Sequence, residues 1–74
     1  MIYGMKGLRM MRNPQRIDEF CARLAIAWHK LPDWRFGQLM MNAFGELERD
    51  PFFPEDKDMI EFLEDYCNKY KMYD

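Results

Sequence analysis

The chain contains no serine and no threonine. That removes the commonest hydroxyl nucleophiles, and a Ser–His pair with them. It has one histidine, His29, and two cysteines, Cys21 and Cys67. The cysteines are far apart and fit no metal spacing such as C-x-x-C. Gly-rich phosphate loops, an H-E-x-x-H pair and zinc-ligand arrays are all missing. No cofactor, metal site or catalytic group is therefore expected, and an enzyme is the poorest fit. There is no apolar run of the roughly 18 residues that a membrane-crossing helix needs. The first ten residues, MIYGMKGLRM, have neither the apolar centre nor the cleavage site of a secretory signal. Both points suggest a cytoplasmic protein.

What is present is a short, apolar chain. It has 74 residues, of which 49% are hydrophobic and 16% aromatic. That length holds one domain. Such a domain buries only about 60% of its unfolded surface. The aromatic content excludes a disordered chain. The charge is uneven. Residues 1–45 carry seven basic and three acidic side chains, residues 46–74 four basic and ten acidic ones. The two blocks either attract each other within the fold or present a polar molecule to a partner.

The apolar periodicity predicts an all-α domain of three helices, over about 14–30, 34–44 and 54–70, with an irregular connector at 46–53. Asn13 and Pro14 open the first helix as N-cap and first residue. Its inner face is Ile17, Phe20, Cys21, Leu24, Trp28 and Leu31, and Leu31-Pro32 stops it. His29 falls off that face, near the helix end. Asp33 is the expected cap of the second helix and Gly45 its end. Asp50-Pro51 and Phe53-Pro54 are turn signals. At least one of Phe52 and Phe53 should pin the connector to the core. Asp56 and Asp58 favour the start of the third helix and Lys69 its end. Its inner face is Met59, Leu63, Tyr66, Cys67 and Tyr70, so both cysteines are expected as buried thiols. Asp58, Glu61 and Asp65 share its outer face, best read as solvated. Residues 1–10 are expected to be a flexible extension, and 11–74 the domain.

The second helix carries the sharpest signal. On a wheel centred on Phe36, Met40 and Ala43, Trp34 and Met41 point about 140–160° away. Gln38 lies beside them, and Arg35 and Asn42 flank the strip. Three readings remain open. The helix is central and covered on both sides; or Trp34, Arg35, Gln38, Met41 and Asn42 form a surface for a protein partner or a homodimer; or the first two helices form a helix-turn-helix that reads DNA through Arg35, Gln38 and Asn42. One basic residue on the helix and an acidic C-terminal half weigh against DNA. Arg35 also has a structural alternative in a pair with Asp50, and Gln38 in bonds to the connector backbone.

The segments RNPQRI, PDWRFGQLMMNAF and DPFFPED resemble a small family of bacterial and phage-associated proteins. Its pattern runs approximately PDxRxGQLxxN and then DPF(F/Y)xxED, over about residues 12–58. The resemblance places Pro32, Asp33, Arg35, Gly37, Gln38, Leu39 and Asn42 on the first motif. Asp50, Pro51, Phe52, Glu55 and Asp56 fall on the second. Trp34, Phe36 and Phe53 occupy positions variable in type. The family carries no assigned activity, so the resemblance implies a recurring small module. It leaves residues 1–10 outside the shared part. It also makes an inhibitor of a host protein one form that binding could take.

Overall fold

A computed structural model describes residues 12–72, and the extension expected over residues 1–10 lies outside them. The chain is an all-α domain of three helices: α1 Gln15–Trp28, α2 Phe36–Glu46 and α3 Asp56–Tyr70.

Local chemistry sets each boundary. The Gln15 amide donates to Asn13 Oδ1 at 3.0 Å, and Pro14 already has helical angles. The first helix thus opens as its sequence suggests. It ends at Trp28, where Lys30 and Leu31 bond back three residues to the Ala27 and Trp28 carbonyls. These tighter bonds are a common way to close a last turn. His29 is exposed at that end.

Next, Leu31 to Trp34 form a turn closed by a 3.1 Å bond from the Trp34 amide to the Leu31 carbonyl. Pro32 occupies its second position, which proline favours. That turn displaces the expected Asp33 cap. Arg35 is extended (φ −78°, ψ 159°), and α2 starts only at Phe36. At the other end α2 runs through Gly45 to Glu46, so Gly45 does not terminate it. Two carboxylate contacts hold that last residue. Glu46 accepts from Lys69 Nζ at 3.2 Å and from the Tyr70 hydroxyl.

α1 and α3 are the main packed pair, and they run parallel. Arg12 meets Glu55 at 3.0 Å, Arg16 meets Asp56 at 2.9 Å, and Arg23 meets Glu64 at 2.7 Å. Beyond the helix ends, the Met72 amide donates to the Lys30 carbonyl. Both partners advance together along the chain, which only a parallel pair allows. The basic first half and acidic second half therefore attract each other within the fold. α2 lies across the C-terminal ends of this pair. Trp34, just before it, touches Tyr66, and its last residue reaches Lys69 and Tyr70. The segment 47–55 then returns to the start of α3, about 21 Å back at the helical rise.

The core is Ala27, Leu31, Leu39, Ala43, Ile60, Leu63, Tyr66 and Cys67. Phe20, Leu24, Trp28, Trp34, Met40, Met59 and Phe62 pack around it. Each large apolar side chain fully buried here contributes about 1.5–3 kcal/mol.

Several expected core residues lie elsewhere. Cys21 and Ile17 are exposed, because α1 turns Phe20, Leu24 and Ala27 inward to meet α3. Only Cys67 is a buried thiol. Phe52 and Phe53 are both exposed, and neither is among the side chains packed on the core. They stack edge to face on each other at 4.9 Å. Asp50 fixes this arrangement by accepting the Phe52 amide on Oδ1 and the Phe53 amide on its carbonyl. Such an Asx turn sets the backbone locally and needs no core contact.

Candidate functional site

α2 has no charged residue before Glu46. Its inward side is narrow, since Leu39 and Ala43 are its only fully buried residues. On a wheel, Phe36, Met40 and Phe44 follow to one side and Gly37 and Met41 come next, with no charge among them. Met40 and Phe44 are half-buried. Phe36 is 53% exposed and Met41 74%. A Cβ added at Gly37 or Gly45 would meet nothing within 4 Å, so backbone is open to approach at both places. Gln38 and Asn42, both exposed, border this side.

The five residues singled out from the sequence divide here. Met41 and Asn42 lie outward on α2. Gln38 is also outward, but its Oε1 accepts the Arg35 amide at 2.8 Å. That bond closes the start of α2, in place of the alternative bonds to the connector. Arg35 is exposed immediately before the helix. Asp50, the alternative partner weighed for it, is used in the Asx turn.

Trp34 is the correction. It is half-buried, its ring is 6.3 Å from that of Tyr66, and its carbonyl accepts Trp28 Nε1–H at 2.9 Å. The wheel misplaced it because the wheel applies only inside a helix, and Trp34 precedes the extended Arg35. Phe36 takes the opposite correction. Expected in the core stripe, it sits at the first helical position, beyond the core, against Trp28 at 5.8 Å between ring centres. The exposed apolar residues of α2 are thus Phe36 and Met41. The signal for Phe36 was its closeness to the Leu31-Pro32 turn.

Electrostatics around α2 are confined to its ends. The Tyr70 hydroxyl and then the Lys69 ammonium hold the Glu46 carboxyl below its ordinary range. In return, Glu46 holds Lys69 above the ordinary lysine value. Neither group faces the apolar side. The outer acidic face of α3 is solvated, and Glu61 is paired with Lys57 at 3.2 Å. Among the described residues, no group of three or more His, Cys, Asp or Glu could hold a metal ion. No helix among them is long and apolar enough to cross a membrane.

What this arrangement can do chemically is bury apolar surface against another molecule. Exposed Phe and Met are costly in water and adaptable in contact. Comparison with known proteins adds no relative: no protein-family model, no curated protein and no solved structure matches the chain.

Proposed function

We propose that the chain is a non-enzymatic protein-interaction module of the cytoplasm, which docks a protein partner through the outer side of α2. Phe36 and Met41 supply the apolar contact. Arg35, Gln38 and Asn42 supply the polar border, and Trp34 supports the surface from behind. The observation that carries this reading is the 74% exposure of Met41 on a helix without a charge before Glu46. A solvated surface helix would normally carry charge on its outer face. The likeness to bacterial and phage-associated proteins adds a direction, a phage- or mobile-element-derived module acting on a host protein.

The test compares affinity capture from the source cell by the native chain and by Met41→Glu. The substitution should abolish capture of a partner that binds the native chain stoichiometrically. The same partner recovered equally by both chains removes α2 from the interface.

A second reading has one observation in its favour. The tight Leu31–Trp34 turn joins α1 to α2 and leaves exposed Arg35 just before the second helix, Gln38 in its first turn and Asn42 further along it. In a helix-turn-helix regulator those side chains would read base edges. A gel shift with mixed duplex DNA at low salt tests it. Absence of any shift there ends this reading, because phosphate contacts bind without regard to sequence.

A further inference from the structure

α1 has an uncovered side of its own, which adjoins α2 only at Trp28, whose ring lies 5.8 Å from that of Phe36. Asp18, Cys21, Ala25 and Trp28 follow one another along α1 at steps of three and four, and Pro32 of the following turn lies beyond them. That is the seam spacing of two helices packed side by side. Asp18, Cys21, Ala22, Ala25 and His29 are exposed, and Ile17 and Ile26 are 50% and 66% exposed. Between Asp18 and His29 the outward residues carry one charge, Glu19, which lies on the flank beside Ile26 about 100° from Asp18 on the wheel. The basic residues of this stretch face α3: Arg23 is bonded to Glu64 through two nitrogens, and Lys30 also acts on Glu64. At the C-terminal end of the seam, Ala25, Trp28, His29 and Pro32 line a shallow hollow of about 230 Å³.

This side is complementary to itself. It has an apolar projection, Ile17, at one end and an apolar hollow at the other. It has a carboxylate, Asp18, at the projecting end and an imidazole, His29, at the hollow end. Ala22 and Ala25 lie midway, and side chains that small let two backbones approach closely. A two-fold rotation about that midpoint matches every one of these features at once. It sets Asp18 against His29 of the second copy, about 16 Å apart on either chain by helical rise. It sets Ala22 against Ala25, and seats Ile17 in the other copy's hollow. A parallel arrangement keeps only the small contacts at Ala22 and Ala25, since Asp18 would face Asp18 and each hollow the other hollow.

We propose that α1 pairs antiparallel with α1 of a second copy of this chain, across a two-fold axis beside Ala22 and Ala25. The helical seam covers only about one and a half heptads, so the dimer is weak and dissociates on dilution. This inference does not rest on the α2 reading.

Sedimentation equilibrium of the full chain, from micromolar to millimolar concentration, tests it. The native chain should show reversible dimerisation. Ala25→Glu should weaken it roughly tenfold or more, because it buries two unpaired carboxylates at the seam. Ile17→Lys, at an exposed position, should also weaken it and guards against a folding defect in the first variant. Far-UV circular dichroism checks both folds. Met41→Glu should leave dimerisation unchanged, which separates this face from α2. For orientation, chains carrying Ala22→Cys and Ala25→Cys, each with Cys21→Ala, are mixed with oxidised glutathione. The mixed disulfide should predominate. A monomer at every concentration overturns the proposal. So does a dimer that tolerates both α1 variants, or one that native Cys21 links to Cys21 under the same oxidant.

Discussion

Leu39 and Met41 stand two residues apart on one helix and have opposite environments. Leu39 is fully buried, whereas Met41 touches mostly water. Leu39→Ala should cost about 2–5 kcal/mol, the usual range for emptying a core leucine site. Met41→Ala should stay within about 0.5 kcal/mol of the native chain. Urea denaturation of the two variants checks both values. The cysteines form a similar pair. Cys21 is exposed, while burial pushes the Cys67 thiol up and keeps it protonated. In dilute native protein an aromatic disulfide reagent should titrate one thiol, Cys21, and reach Cys67 only on unfolding. Two equally reactive thiols would contradict the packing of α3 against the core. At this scale the sequence was legible for Ala43, Leu63 and Cys67, which occupy the middles of periodic stripes. It misled for Trp34, Phe36, Ile17 and Cys21, at stripe ends or edges. There a turn of one residue or a small helix rotation decides between core and solvent.

Among the elements, α2 ends on a residue that α3 holds. Glu46 places a negative charge at a helix C-terminus, the unfavourable end of the dipole. Lys69 and Tyr70 offset it and tie α2 to α3. In Glu46→Gln the last turn of α2 should open. Amide hydrogen exchange should accelerate over Ala43 to Leu47, with the middles of α1 and α3 unchanged. Uniform acceleration would mean that Glu46 matters to the whole fold and not to its own helix. Helix existence was legible throughout, since the apolar period is clear in all three segments. Starts were less so. Pro32 promised a stop and delivered a turn, and that turn moved α2 by two residues.

The whole molecule is held by its core and by charge pairs along the α1–α3 seam. Arg23 keeps the Glu64 carboxyl below its ordinary range, as Tyr70 and Lys69 do for Glu46. A carboxyl lowered by folding adds stability that is fully present above the ordinary value of 4.5 and is lost as the pH falls through its lowered value. Acid should therefore destabilise the chain below pH 4.5. The Glu46→Gln/Glu64→Gln double variant should lose much of that acid dependence. Thermal melts across the acid range measure the difference, and parallel curves would assign the effect to other carboxylates. The opposite charge of the two halves was visible in the sequence, but which residues meet was not. Short connections usually place neighbouring helices antiparallel. Two such reversals would by themselves set α1 and α3 in the same direction; what nothing local indicated is that α2 would lie across their ends.

That parallel pairing sets an order of events during synthesis. Arg12 waits for Glu55, Arg23 for Glu64, and Lys30 for Met72. Contacts so distant along a short chain must close a long loop before they add any stability. On the ribosome, α1 and α2 emerge first, with no third helix to cover Ala27, Leu31, Leu39 or Ala43. A nascent chain ending near Pro54 should be largely unstructured, and the fold should form in one step once Tyr70 has left the exit tunnel.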